Sequence, residues 1–96
     1  MTAANGMTLY TFDKDSAGTS TCYAQCAQKW PAYTVPAGTS VTPPAGATGQ
    51  AGTLTRADGS VQVTYNGMPL YFFANDSNPG DSKGNGVGGT WHVAKP

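Results

Sequence analysis

Glutamate is absent from this chain, and charge of either sign is scarce. Five lysines and arginines stand against five acids, all aspartate (Asp13, Asp15, Asp58, Asp76, Asp81), in 96 residues of zero formal net charge. That removes the Glu–Lys pairs that decorate solvent-exposed helices. It also removes the cationic patch that a nucleic acid or an anionic lipid surface requires, so no nucleic-acid partner is expected. No apolar run is long enough for a transmembrane segment, and no signal segment precedes Met1. One histidine and two cysteines leave little material for metal or thiol chemistry. A chain this short buries only about 60–65% of its unfolded surface and is correspondingly marginal.

Threonine, serine, glycine, alanine, asparagine and tyrosine occupy the places that charge leaves. Abundant turn residues with strand-forming aromatics predict an all-β, extracytoplasmic protein. The chain also repeats itself. Asn5, Gly6, Met7, Leu9, Tyr10, Phe12, Asp15, Ser16 and Trp30 recur sixty-one positions later, without a gap, as Asn66, Gly67, Met68, Leu70, Tyr71, Phe73, Asp76, Ser77 and Trp91. Two copies in so short a chain predict one pseudo-symmetric domain over 1–96. Repeat one covers 1–35 and repeat two 53–96. The connection 36–52, built mainly of Pro, Ala, Gly, Thr and Ser, reads as a surface segment with no core of its own.

The second copy shows its strands plainly. Thr53–Arg56 leads into the Asp58-Gly59 turn, where both central positions tolerate positive φ. Val61–Tyr65 follows, with Val61, Val63 and Tyr65 on one face and Gln62 and Thr64 on the other. After Asn66-Gly67 comes Met68–Phe73, apolar on both faces, in which Pro69 demands an edge or a bulge. The first copy keeps only a shortened strand, Met1–Ala4, before its Asn5-Gly6 turn, so the chain reads as a trimmed form that has lost an export signal. Parity places Met7 and Leu9 on one face and Tyr10 and Phe12 on the other, and likewise Met68 and Leu70 against Tyr71 and Phe73. The expected architecture is two hairpin repeats forming a small sandwich or barrel-like domain, with a short helical turn at the cysteines.

Cys22 and Cys26 are four apart. On a helical turn their Cβ atoms would lie about 5–6 Å from each other, whereas a disulfide wants about 3.8 Å, so the turn must tighten or distort to bridge them. A structural disulfide is the expected outcome, contributing about 2 kcal/mol through loop closure. The spacing is neither that of thiol oxidoreductases nor that of haem attachment, and a zinc site lacks ligands beyond His92.

Leu-Tyr-Thr-Phe-Asp-Lys-Asp, Cys-x3-Cys-x3-Trp-Pro and Arg-x-Asp-Gly-Ser-x-Gln-Val-Thr-Tyr-Asn-Gly-x-Pro-Leu-Tyr are recognisable wording. Over nearly its whole length the chain resembles the bacterial secreted-repeat lipoprotein family of unknown function, whose units carry a Tyr-x4-Asp motif. Here the motif is Tyr10 with Asp15 and Tyr71 with Asp76. The resemblance implies export and often lipid anchoring through an upstream cysteine, although this sequence shows no lipobox. It brings no established activity and no catalytic residues.

Read physically, the aspartate of each motif accepts amides of its own loop, and it offers an acceptor to a buried tyrosine hydroxyl. Tyr10 with Asp15, and Tyr71 with Asp76, are expected to form such structural units, with Trp30 and Trp91 in equivalent places. A scaffold device recurs in both copies, whereas a catalytic centre is usually single. Calcium is one rival: Asp13, Asp15 and Gly18 match the start of an EF-hand loop, but Ala17 and Ala24 stand where acids are required. A soft metal or haem iron is another, through Met7, Met68 and His92, although methionine on an apolar strand face is usually core filler. There is no nucleophile elbow, phosphate loop or paired glutamate. The expectation is therefore a non-enzymatic, cofactor-free, cell-surface or periplasmic module with a structural, adhesive or small-ligand-binding role. Its alternative is a metal- or haem-binding module for electron transfer or metal handling. Exposed edge strands offer a route to assembly with a surface partner.

Overall fold

The computed structural model describes residues 1–3, 5–43 and 46–95. Ala4 of the shortened first strand, Pro44 and Ala45 of the connection, and Pro96 of repeat two lie outside the described residues. The elements in order are β1 (Tyr10–Phe12), α1 (Gln25–Lys29), β2 (Thr34–Val35), β3 (Ala51–Thr55), β4 (Val61–Tyr65), β5 (Met68–Pro69), a 3-10 turn (Val87–Gly89) and β6 (Trp91–Val93). Its regular elements are mostly strands, in two sheets. One is β1 antiparallel to β6, and the other has β4 at its centre, with β3 along one side and β2 and β5 end to end along the other. No barrel closes among the described residues, and the arrangement is sandwich-like. Among the described residues no helix is long and apolar enough to cross a membrane.

The second-copy meander β3–β4–β5 forms as its alternation predicts, with two differences. At Asp58-Gly59 only the glycine is left-handed, at φ 88. Arg56 N–H bonds Ser60 O, so the loop has three residues, and the Asp58 carboxylate caps the Ser60 amide at 3.0 Å. The stretch Met68–Phe73 does not stay with one partner. β5 pairs with β4 through Tyr65–Met68 and Thr64–Pro69, a position where the Pro69 nitrogen faces away from β4. Leu70 N–H still reaches Val63 O at 3.0 Å, but Val63 N–H turns to Tyr33 O at 2.8 Å, and the pairing ends there. The chain then crosses to repeat one, where Tyr71 bridges both Tyr10 and Ala32.

That crossing is a pseudo-twofold axis. Tyr10 N–H donates to Tyr71 O at 2.8 Å, and Tyr71 N–H donates back to Tyr10 O at 3.0 Å. Around the axis equivalent bonds recur: Tyr33 N–H to Leu70 O (3.0 Å) matches Ala94 N–H to Leu9 O (2.8 Å). Ala74 N–H to Lys29 O matches Asp13 N–H to Thr90 O, both 2.8 Å. Strand parity then sends alternate side chains to opposite sides. Leu9 and Leu70 enter one buried cluster with Val63, Tyr65 and Ala94. Tyr10 and Tyr71 enter the other with Cys22, Trp30 and Trp91. The polar face of β4 is not left to solvent, since Gln62 and Thr64 are buried as well.

Cys22 and Cys26 are bridged. The distortion this spacing requires falls on Ala24, a non-glycine residue at φ 55 and ψ −122 between them. The connection is less passive than its composition suggests, because Val41 and Ala47 pack against the leucine cluster and Ala51 and Gly52 already belong to β3. Between Ala37 and Ser40, however, it is exposed. A protease cut there should therefore leave both halves together. The nicked chain is expected to elute as one particle of unchanged size in native size-exclusion chromatography and to separate only under denaturing conditions.

Candidate functional site

Each motif tyrosine is fully buried, and each motif aspartate nearly so. The phenols donate across the axis, not along their own copy: Tyr10 Oη–H to Asp76 Oδ2 at 2.6 Å, and Tyr71 Oη–H to Asp15 Oδ2 at 2.6 Å. The expected units Tyr10–Asp15 and Tyr71–Asp76 are thus replaced by their exchange. Geometry explains why. Each motif sits at the end of a strand that alternates faces, and at the axis the nearest carboxylate to each phenol is the one hanging from the other copy's loop. The local half of the expectation survives, because each carboxylate also accepts from its own loop. Asp15 Oδ1 takes Thr21 N–H (2.8 Å) and Thr21 Oγ1–H (2.6 Å), and Asp76 Oδ1 takes Lys83 N–H (3.0 Å). The loops also reach over to the opposite hairpin turns, with Gly18 N–H on Gly67 O (2.8 Å) and Gly80 N–H on Gly6 O (3.2 Å).

Trp30 and Trp91 occupy equivalent positions and meet each other, ring centroids 3.8 Å apart and planes at 1°. Phe12 stacks on Trp91 and Phe73 on Trp30, each at 4.2 Å. Tyr10 stands edge-on to Trp30 at 5.3 Å and Tyr71 edge-on to Trp91 at 5.2 Å. Gly84 is where the second copy closes over this stack: a Cβ there would lie 2.7 Å from the Trp30 ring, so no side chain fits.

Two participants escaped the sequence reading. Arg56 is buried, its guanidinium lying over the Tyr23 ring, and it donates to Ser20 Oγ (2.7 Å), to Gln62 Oε1 (2.8 Å) and to the Cys22 carbonyl. Ser20 in turn contacts Tyr71 Oη at 2.5 Å. Since the Tyr71 proton is committed to Asp15, Ser20 is the donor in that contact. Donors therefore run one way, from Arg56 through Ser20 and Tyr71 to Asp15, and chains of this kind strengthen one another. The only signal in the sequence was an arginine beside a hairpin turn in a chain with few cations.

The metal candidates are scattered. Asp13 pairs with His92 on the surface, Oδ2 to Nε2 at 2.9 Å, while Asp15 is turned into the core. Asp81 accepts the Ser77 and Asn78 amides of its own loop. Met7 and Met68 are half-buried. Among the described residues no three His, Cys, Asp or Glu side chains gather as a metal would need, and no buried side-chain polar atom is without a partner.

A separate groove of about 500 Å³ opens on the leucine face. Ala3, Val63 and Leu70 give it apolar surface, and Thr2, Tyr33 and Thr42 bring hydroxyl-bearing side chains. Among the described residues no charged side chain lines it.

The exchange predicts a specific pattern of coupling. Tyr10→Phe and Asp76→Asn should each cost about 1–3 kcal/mol, because asparagine retains one carbonyl oxygen and leaves a donor orphaned. In denaturant unfolding the pair Tyr10/Asp76 should be non-additive, whereas Tyr10→Phe with Asp15→Asn should add to within about 0.5 kcal/mol. Burial first, and then the bond to the carboxylate, push Tyr10 and Tyr71 up to about 12. A folded-state value above the unfolded value of about 10 stabilises fully below that pH and is lost as pH rises through the folded one. Stability should hold to about pH 10 and fall towards about 12. In an alkaline titration followed by tyrosinate absorbance, two of the five tyrosines should ionise only as the fold is lost.

The family described as a secreted repeat of unknown function matches the chain twice, over residues 1–34 and 52–95. No curated protein and no solved structure matches it. The matched stretches hold the two tyrosines and two aspartates that change partners across the axis, and a secreted family is consistent with an extracytoplasmic place. With both stretches together spanning most of its length, the chain belongs to this secreted-repeat family.

Proposed function

We propose that the chain is a non-enzymatic cell-surface or periplasmic module, in which the exchanged tyrosine–aspartate pairs form a rigid frame and the groove on the leucine face binds a small uncharged ligand. The observation that carries this reading is the contrast between the two faces. At the axis each phenol is bonded to a carboxylate and each carboxylate also holds its own loop, an arrangement that supports a structural frame. On the leucine face a concave surface mixes aliphatic floor with hydroxyl groups, the composition of a site that orients a small amphipathic molecule. Absence of charge in the lining favours a neutral compound over an anion or a cation.

Ligand-observed NMR against a panel of uncharged amphipathic compounds, followed by thermal unfolding with each hit, tests the reading. A true ligand should stabilise by about 2.7 kcal/mol at a hundredfold excess over Kd. Thr42→Trp, which places an indole at the exposed rim, should abolish that gain with little change in the free protein. Hits that bind the Thr42→Trp variant equally well, or a panel without hits, would remove the groove from the reading and leave the frame alone.

A further inference from the structure

Indole and phenol are among the side chains that surrender one electron most readily. Phenol does so far more easily when a base takes its proton in the same step, because the charged radical cation is then never formed. Both conditions meet at the axis. Phe12, Trp91, Trp30 and Phe73 form one continuous stack, with interplanar angles of 13°, 1° and 28°. A phenol stands at the edge of each indole, and each phenol hydroxyl lies 2.6 Å from a carboxylate oxygen, within the reach proton transfer requires.

The placement is selective. Among the described residues two other tyrosine hydroxyls engage backbone amides as acceptors and no carboxylate: Tyr65 Oη takes Gly49 N–H and Tyr23 Oη takes Ala57 N–H. A tyrosine that only needed its polar tip satisfied would be served by such a contact. In this chain a carboxylate base stands where the indoles stand.

We propose that the aromatic stack is a metal-free one-electron relay, in which the indole pair gives up an electron to an external oxidant and a tyrosine–aspartate pair refills it. The oxidant is a one-electron acceptor of the oxidising-radical or high-valent metal-complex class. In the first step it takes one electron from the Trp91–Trp30 pair, which becomes a radical cation shared by two parallel rings. In the second, a tyrosine supplies one electron to the indoles while its hydroxyl proton moves to the bonded carboxylate. The products are a neutral phenoxyl radical, a protonated aspartate and the restored indole pair. A one-electron reductant of the hydroquinone or ascorbate class then returns the electron, and the carboxyl group returns the proton.

The two traps are not equal. The Asp15 carboxylate accepts three hydrogen bonds, from Tyr71, Thr21 N–H and Thr21 Oγ1–H, whereas that of Asp76 accepts two, from Tyr10 and Lys83 N–H, and Tyr71 is held further by Ser20 and Arg56 behind it. Tyr10 is backed by the Gly84 amide, at 3.2 Å. The hole therefore settles on Tyr10, with its proton on Asp76.

Flash photolysis of the intact protein with ruthenium tris(bipyridine) and an irreversible quencher, read by transient absorption and electron paramagnetic resonance, tests the relay. An indole radical should appear first and decay into a tyrosyl radical, more slowly in deuterated water. Asp76→Asn should slow that handoff by about 100-fold or more, the scale of a lost general base, and Asp15→Asn should slow it less. An indole radical whose decay is indifferent both to deuterium and to Asp76→Asn, or a tyrosyl signal that persists in Tyr10→Phe/Tyr71→Phe, would overturn the proposal. The deuterium comparison uses the unaltered chain and so stands even if a variant fails to fold.

Discussion

Two hydrogen bonds, from Tyr10 to Asp76 and from Tyr71 to Asp15, are made between the copies, and the rest of the molecule is arranged so that they can be. A buried phenol without an acceptor costs about 1–3 kcal/mol, a large fraction of the stability of a domain this small. Neither copy holds the acceptor that its own tyrosine uses. The cooperative unit is therefore the pair of copies. The backbone exchange between Tyr10 and Tyr71 fixes where the strands cross, and once that point is fixed, alternation assigns Leu9 and Leu70 to one cluster and the aromatic rings to the other.

Around this symmetric centre the copies have diverged in how they wall it in. The first uses a disulfide, a positive-φ alanine and a single-turn helix. The second uses glycine, because at Gly84 the Trp30 ring leaves no room for a Cβ. Divergence extends to polarity, since only the Tyr71 side carries a buried arginine. Removing a guanidinium from water is costly unless its donors are met. Here Ser20, Gln62 and the Cys22 carbonyl meet them, and the Tyr23 ring covers its face.

Much of this was legible in the residues. The ungapped recurrence of Leu, Tyr, Phe and Trp carries face parity with it, so the two faces could be assigned from spacing alone, and the alternation of Val61–Tyr65 marked it as a strand, though not as the centre of its sheet. The partner exchange was not legible. Tyr10 and Asp15 lie five apart, a separation that suggests a local bond, whereas the acceptor actually used lies 66 residues away. Nothing in either motif distinguishes its own carboxylate from an identical one in the other copy. Arg56 and Ser20 were hidden for a related reason. Polar residues beside turns read as solvated, and only the folded chain shows that β4 carries a buried polar face above them.

The loops of each copy lie over the hairpin turn of the other, Gly18 on Gly67 and Gly80 on Gly6. For a polypeptide made and exported from its amino end, this sets an order of events. When repeat one first emerges, Tyr10 lacks its acceptor and Trp30 its stacking partners, and both wait until the chain has passed Phe73, Asp76 and Trp91. Contacts so distant along the chain form late and slowly. The same interlock that ties the finished domain together thus keeps its first half pliable in transit, a useful property in a family whose members are secreted.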